Sequence, residues 1–589
     1  MKPVREYLKE NRLLFDGAMG TWYRSLYPGR DTRCELANLS HPADVLAIHR
    51  AYREAGARAL KTNTFAANTA ALETDFGAVR EVLRAGYALA REAAGEEAYV
   101  FADIGPILPP AGTAAGPAGE GAAEYCRIAE VFLEMGAENF LFETFPSSEG
   151  LREACAFIRA QKPDAFLLVS FAAAPDGFTR QGLPALRLAR EAAEYADAVG
   201  LNCISGPAHL RRLAAGLPAG AVRSVMPNSG YPSIIGGRTY FETGADYFAE
   251  QMAKLASSGV RILGGCCGTT PDHIAKTAAA LAAAQPDREP AAPEAPRAAK
   301  NAPANRLREK LASGKRVIAV ELDPPADADG SFFMEAAARL GAAGADAITI
   351  ADCPVARVRA DSSMLAAKLK RELQMDAIPH MTCRDRNLNA AKALLLGLAM
   401  EGVRNILVIT GDPVPGADRD EVKAVFNFNS AMLAGYIRDL GEEVLPAPFL
   451  VAGALNVNAR NFDAELRKAL RKKENGVQML LTQPVFTDEA VQNLRRAREE
   501  TGLWILGGLM PPVSYRNACF MHNEIAGIRL SEEILARYEG LDREEAGRLG
   551  VSLCLDTAEK IAPYVDGYYL MTPFKRVDLI EELIRALRQ

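Results

Sequence analysis

The chain has 589 residues, of which 49% are hydrophobic and 24% charged, with a net charge of -6. That length exceeds what one hydrophobic core organises, so at least two domains are expected, and the mildly acidic balance leaves no electrostatic footprint for a nucleic-acid partner. No apolar run reaches the roughly 18 residues of a membrane span, and the start, MKPVREYLKENRLLF, lacks a signal-peptide core, so a cytoplasmic protein with no membrane partner is expected.

In chain order, the first half carries short apolar runs that end in polar or glycine residues: LLFDG, ALKTN, VFADIG, FLFET, LLVSF, VGLNC, SVMPN and ILGGCC. Alanine-rich segments with helical spacing, such as 83–94 and 185–197, lie between several of them. Alternating strands and helices imply parallel βα units, and eight units suggest a closed barrel. After the third run, PILPPAGTAAGPAGEGAA is too rich in Gly, Ala and Pro to pack well and reads as filler or a lid. Residues 285–304, QPDREPAAPEAPRAAKNAPA, have no periodic apolar face and read as a semi-extended linker. Beyond it the pattern repeats at VIAVELD, AITIAD, IPHMTC, ILVITGD, FLVAGALN, MLLTQPVF, ILGGLMPP and GYYLMTP. The expected fold class is α/β: two (β/α)8 TIM barrels in series joined by a Pro/Ala-rich linker, with domains 1–284 and 305–589.

Barrel enzymes place their chemistry at the C-terminal ends of the strands. In the first half Asp16, Asn63, Asp103, Glu143, Cys203, Asn228, Cys266 and Cys267 occupy those ends. Ten cysteines are too sparse for a disulfide scaffold in a chain this long, so their positions decide their use. Cys203 closes the sixth run and Cys266 and Cys267 follow the eighth, which would let three sulfurs converge on the rim. Three thiolates suit Zn²⁺ and leave a fourth position for a substrate thiol or water. A thiol with a free pKa of about 8.5 would be held there as the thiolate. Gly264, Gly265 and Gly268 would let the backbone turn tightly enough to aim consecutive cysteines at one ion. Buried cysteines of a reduced core are the alternative. Read alone, Asp16 and Glu143 are as readily structural caps or ion-pair members.

The strand ends of the second half carry Glu321, Asp352, His380, Asp412, Asn456 and Gln483, with no clustered cysteines. Lys468, Arg471, Lys472 and Lys473 form a basic cluster that would suit a pyrophosphate or a solvated helix face. No GxGxxG loop accompanies it, so a dinucleotide would bind across strand ends.

DGAMGT at 16–21, KTNTFAAN at 61–68, GLNC at 200–203 and GGCCGTTPDHI at 264–274 closely resemble the homocysteine-binding module shared by cobalamin-dependent methionine synthase and related homocysteine methyltransferases. The resemblance implies that Cys203, Cys266 and Cys267 bind zinc, that Asp16 and Glu143 hold the ammonium group of homocysteine, and that backbone amides near Gly17–Gly20 suit its carboxylate. Members of that family take the methyl group from S-methylmethionine, from S-adenosylmethionine or from a cobalamin protein. No cobalamin module is recognisable here, so the last route would need a separate cobalamin carrier protein.

From about residue 306, the order of VELDPP, PHMTC, ITGDPVP, LLTQPVF and GGLMPP resembles the catalytic barrel of methylenetetrahydrofolate reductase. That resemblance implies FAD and NAD(P)H, with Glu321 as general acid, Asp412 near flavin and pterin, and Gln483 on the folate. It also implies flavin contacts from His380, Glu465, Arg471 and Lys472. Asp323 departs from the aromatic FEFFPP common in the family, Thr410 replaces a frequent arginine, and Ala454, Leu455 and Asn456 stand where a Tyr-Pro-Glu segment is usual. The chain ends at Gln589 just after the eighth helix, so no regulatory domain responding to S-adenosylmethionine is expected. Together the two resemblances imply a bifunctional enzyme that reduces methylenetetrahydrofolate and methylates homocysteine. A subunit of a split methionine synthase, or a salvage methyltransferase beside a reductase, are the alternatives.

Overall fold

Each of the sixteen apolar runs is a parallel strand in the computed structural model, which describes all residues except 31–32, 108–119, 236–237, 242–243, 284–303, 414–423 and 526. Almost all of the expected linker at 285–304, and most of PILPPAGTAAGPAGEGAA, lie outside the described residues. The chain divides into two units, Met1–Ala295 and Pro296–Gln589.

The first unit contains β1 (Leu13–Leu14), β2 (Ala59–Lys61), β3 (Tyr99–Ile104), β4 (Asn139–Phe145), β5 (Phe166–Ala172), β6 (Ala198–Asn202), β7 (Val222–Met226) and β10 (Ile262–Leu263). Between β7 and β10, β8 (Ser233–Ile235) and β9 (Arg238–Tyr240) form a separate antiparallel hairpin that the sequence pattern did not reveal. The parallel strands run in the order β1-β10-β7-β6-β5-β4-β3-β2. The two ends of this sheet meet, because Phe15 bridges Ala59, the Arg58 amide donates to the Leu14 carbonyl at 2.7 Å and the Asp16 amide donates to the Ala59 carbonyl at 3.0 Å. Closure leaves no unpaired edge between β1 and β2.

The second unit contains β11 (Val317–Leu322), β12 (Ala347–Ile350), β13 (Asp376–Thr382), β14 (Asn405–Ile409), β15 (Leu450–Leu455), β16 (Met479–Pro484), β17 (Trp504–Leu509) and β18 (Gly567–Met571). They close in chain order, with β18 pairing back onto β11. The architecture is two eight-stranded parallel barrels in series, as the alternation of elements implied.

Side-chain alternation sorts each strand between two layers. In β3, Tyr99 and Phe101 point into the barrel while Val100 and Ala102 pack outward in the layer shared with the helices. A short helix closes the lower end of each barrel. Val4–Glu10 buries Val4 and Leu8 in the first interior, and its Arg5 donates to the Asp164 and Ala165 carbonyls just before β5. Arg306–Ala312 buries Leu307 and Leu311 in the second, and its Arg308 donates to the Phe449 carbonyl just before β15. Both helices touch the N-terminal ends of strands, so the polar side chains collect at the opposite ends. No described helix is long and apolar enough to cross a membrane.

Gly200, in the middle of β6, shows how tightly the strands constrain composition. A Cβ there would lie 2.3 Å from the Ser224 carbonyl oxygen, a backbone atom of the paired β7 that cannot move aside. Gly200→Ala is expected to destabilise the first unit by about 1–3 kcal/mol, the range for overpacking a filled core. A fall in its thermal unfolding midpoint, with purified variant and parent scanned side by side, checks this.

Candidate active sites at the barrel mouths

At the upper end of the first barrel the sulfurs of Cys203, Cys266 and Cys267 all lie within 4.8 Å of one another, and the Cys203 and Cys267 sulfurs are 3.8 Å apart. Backbone geometry makes this convergence. Cys203 leaves β6 with φ 56° and Ile204 follows at 59°, a left-handed turn that swings the cysteine off the strand. The Cys266 amide donates to the Pro227 carbonyl at 2.8 Å and the Ser229 amide to the Cys267 carbonyl at 3.0 Å, which fastens the cysteine pair to the segment after β7. Gly268, at φ 79°, ends the turn with Phe241 and Ser229 so close that no Cβ fits. Gly265 is pressed against Thr269, whose hydroxyl donates to the Cys266 carbonyl at 2.7 Å.

The donor set fits a tetrahedral zinc ion. Four ligands at about 2.3 Å from Zn²⁺ set sulfurs about 3.8 Å apart, which the Cys203–Cys267 pair already meets. Cys266 is buried, whereas Cys203 and Cys267 are partly exposed, so a fourth ligand would enter from the mouth. Its hydrogen bond with Cys203, burial and the nearby Cys203 and Glu143 charges push the Cys266 thiol well up, against an opposing hydrogen bond from Cys267. Such a trio ionises readily only with a cation among the sulfurs.

Beside the sulfurs lies a buried charged cluster. Asp16 follows β1, and one of its oxygens accepts the Lys61 amide at 3.0 Å. The Lys61 ammonium sits 3.5 Å from a Glu143 oxygen and 3.4 Å from the Gly265 carbonyl, the residue before the cysteine pair. Glu143 is aimed by a bulge in β4, where pairing with β5 slips between Phe142 and Phe145 and Thr144 takes φ 65°. The Asn202 amide clamps that bulge, accepting from the Thr144 amide at 2.9 Å and donating to the Glu143 carboxylate at 3.2 Å. Burial pushes Asp16 up to about 7 against the pull of Lys61, and burial and Glu143 push Asp103 well up. Burial pulls Lys61 down, but Glu143 and Asp16 more than reverse it, so its ammonium stays charged.

In the second barrel Glu321 shares the inward face of β11 with Val317 and Ala319 and stands one step above that core layer. Tyr569 of β18 donates a hydrogen bond to it, and the His380 Nε2 lies 3.9 Å from the same oxygen. Burial, then the neighbouring Asp323, push Glu321 up to about 8. His380 is held down to about 4 by burial, so it is neutral beside Glu321 at neutral pH and forms no ion pair.

A cavity of 410 Å³ opens between the ends of β14, β15 and β16. Gln483, Glu465, Arg471 and Lys472 all line it, as do Thr410, Ala454, Leu455 and Asn456, the positions that depart from the family pattern. Lys468, Arg471 and Lys472 supply positive charge, and helix Ser430–Glu443 turns its N-terminal end, capped by Asn429, toward the same space. This combination suits an anionic group. Lys472 is largely buried, which lowers its pKa, and its ammonium donates to the Ala454 carbonyl at 2.7 Å.

The structure therefore groups Glu321 with His380, and Gln483 with Glu465, Arg471 and Lys472. Asp412 joins neither contact set: it is exposed, and its carboxylate accepts the Val355 amide at 2.8 Å in the loop after β12. Lys61 and Tyr569 escaped the sequence reading. The signal for Lys61 was its parity, since it sits two residues after Ala59 of the barrel interior on a three-residue strand.

Comparison with known proteins divides the chain at the same place. The family model for homocysteine S-methyltransferase matches residues 13–281, and that for methylenetetrahydrofolate reductase matches residues 306–587. The methionine synthases of Mycobacterium tuberculosis and Mycobacterium leprae are each 32% identical over 311 residues, a match that spans 47% of this chain and only 25% of each relative. Among solved structures, the apo form of the Escherichia coli homocysteine methyltransferase MmuM aligns with 23% identity and a TM-score of 0.37, over 47% of this chain and 98% of that one.

The raised Glu321 carboxyl has a measurable signature. Its folded pKa of about 8 stands above the ordinary 4.5, so the native state holds a proton that the unfolded chain releases, and this group's contribution to stability is lost as pH rises from about 4.5 through about 8. Infrared difference spectra of parent minus Glu321→Gln are expected to show a protonated carboxyl band at pH 7 that fades as pH rises through about 8.

Proposed function

We propose, for a chain that carries a homocysteine S-methyltransferase module at residues 13–281 and a methylenetetrahydrofolate reductase module at residues 306–587, a bifunctional enzyme of methionine and one-carbon metabolism. The first barrel methylates homocysteine to methionine, and the second reduces 5,10-methylenetetrahydrofolate to 5-methyltetrahydrofolate. The observation that carries the reading is the meeting, in one barrel mouth, of three cysteine sulfurs with the buried Asp16, Lys61 and Glu143 cluster: a site for a thiol at one end and a charged amino-acid head group at the other.

Cys203, Cys266 and Cys267 hold zinc in this reading. Zinc, when bound, supplies the positive charge that keeps a substrate thiol as a thiolate at neutral pH. Asp16 and Glu143 face the substrate ammonium, and Asn202 fixes the Glu143 carboxylate by its side-chain amide. The thiolate sulfur then attacks the methyl carbon, and the donor leaves with the bonding pair.

In the second barrel Glu321 enters the reaction protonated. It gives its proton to a folate ring nitrogen as the carbon–nitrogen bond of the five-membered ring opens, which leaves an iminium carbon to be reduced. Tyr569 and neutral His380 flank that carboxyl without supplying a cation that would ionise it. FAD, when bound, supplies the hydride, drawn from NAD(P)H. Arg471, Lys472 and Glu465 line the cavity that suits its charged portion, Gln483 faces the folate side, and Asp412 would reach the flavin and pterin from the loop that ends β14. The ten free cysteines and the thiolate chemistry suit a reducing compartment, the cytoplasm.

A second reading takes the methyl group from a cobalamin carrier protein, and its support is the match to two methionine synthases, which spans a quarter of each. S-adenosylmethionine and S-methylmethionine are the donors of a salvage reading.

The test supplies zinc- and flavin-loaded protein, without oxygen, with NADH, homocysteine and methylenetetrahydrofolate labelled at the methylene carbon. Label in methionine is the expected result of the bifunctional reading. Label halted at methyltetrahydrofolate until a cobalamin carrier is added supports the second reading. Label that never leaves methylenetetrahydrofolate would sink the reductase assignment. Glu321→Gln is expected to slow folate reduction by about 10²–10⁴-fold while flavin reduction by NADH persists, and Cys203→Ser to abolish zinc retention and methionine formation without touching the reductase.

A further inference from the structure

Among the described residues, the mouth of the first barrel brings together the carboxyl groups of Asp16, Asp103 and Glu143 and the ammonium of Lys61, each more than nine-tenths buried, with Glu35 adjoining Asp103. Lys61 and Asn202 both contact Glu143. The other two acids are incompletely met. Asp16 accepts the Lys61 amide through one oxygen, but its Oδ1, like the Oδ1 of Asp103, is buried without a hydrogen-bond partner. Buried acceptors are rarely left unpaired, and these two interact electrostatically with each other and with Lys61 and Glu143. A group with several N–H donors would meet both oxygens.

We infer that Lys61 is the charge-balancing and positioning residue of an amino-acid head-group subsite: it holds Glu143 in place, and the free oxygens of Asp16 and Asp103 join Glu143 in receiving the ammonium group of the substrate. The inference rests on the first barrel being a homocysteine site and goes beyond it by giving Lys61 and Asp103 roles. A primary ammonium carries three donors, enough in number for both oxygens. Lys61 also joins the two ends of the site. Its amide holds Asp16 and its ammonium reaches the Gly265 carbonyl, next to the cysteine pair, while on the other side Asn202 links Glu143 to the neighbouring Cys203. Lys61 thus ties the buried acids to the backbone beside the cysteine pair. Lys61 opposes the rise that burial imposes on Asp16 and Asp103, so without it both would hold their protons more firmly and attract an ammonium less.

Calorimetric titration of the zinc-loaded, full-length protein tests this with two thiols of equal length: L-homocysteine and 4-mercaptobutanoate, which lacks the amino group. Lys61→Met is expected to weaken homocysteine binding about tenfold or more, to leave 4-mercaptobutanoate within about threefold, and to keep one zinc per chain; Lys61→Arg restores most of the loss. Asp103→Asn keeps the resident cation and guards against a misfolded Lys61 variant; it is expected to narrow the preference for homocysteine over the amine-free thiol. In the double variant the losses fall short of multiplying, because removing Asp103 relieves the repulsion that the loss of Lys61 creates. An unchanged homocysteine affinity in Lys61→Met, an equal loss for both thiols, or strictly multiplicative losses would overturn the inference while leaving the homocysteine site intact. Failure of the parent protein to bind homocysteine would overturn the functional reading and this inference with it.

Discussion

Side chains on a strand alternate inward and outward, and closing eight parallel strands turns that alternation into stacked layers. Everything chemical in this protein depends on that arrangement. In each unit a short helix plugs the N-terminal end with two apolar side chains, Val4 and Leu8 in one and Leu307 and Leu311 in the other. The interior above the plug is apolar, and the next inward position on several strands is polar. Phe101 is followed inward by Asp103, Leu141 by Glu143, Ala319 by Glu321, Ile378 by His380 and Leu481 by Gln483. The same packing that stabilises the barrel thus delivers its reactive groups, desolvated, to the open end.

Desolvation is resolved in opposite ways by the two mouths. In the first, Lys61 stands within ion-pair distance of Glu143 and its amide meets Asp16, so a resident cation holds the acids in place. In the second, the polar neighbours of Glu321 are a tyrosine, a histidine held neutral by burial and the acidic Asp323, so the carboxyl resolves its burial by retaining a proton. One environment sets an ammonium among its acids, and the other leaves its acid with neutral or acidic neighbours. Two barrels of eight parallel strands carry both, because the difference lies in which side chains the other strands bring to the same end.

Local strain marks where the chain departs from regular strand to reach these positions. Thr144 at φ 65° and Cys203 at φ 56° both lie in conformations that L side chains rarely adopt, and both are tied by specific hydrogen bonds, Thr144 to Asn202 and Cys203 to the Met226 carbonyl. Asn202 therefore serves the carboxylate on one strand and precedes the sulfur on its own, a coupling that neither residue pattern announces.

Much of this was legible in the amino-acid sequence. The sixteen apolar runs, the division into two halves and the three cysteines at strand ends follow from short-range patterns: hydrophobic period, flanking glycines and the residue type that ends each run. These need no knowledge of partners, since alternation and turn chemistry act within a few residues. Other features were decided only by the tertiary structure. The plugging helices, the β8–β9 hairpin, the placement of Asp412 on the Val355 loop and the pairing of Tyr569 with Glu321 join residues up to 248 positions apart. Lys61 is the sharpest case. Its strand is three residues long, too short for a pattern, and its charge acquires meaning only because barrel closure sets β2 beside β1 and faces it toward β4, where Glu143 waits unpaired in any shorter view of the chain. Sequence determined which groups stand at the strand ends, whereas the closed sheet decided which of them meet, because contact across a barrel depends on strand order and register and not on proximity along the chain.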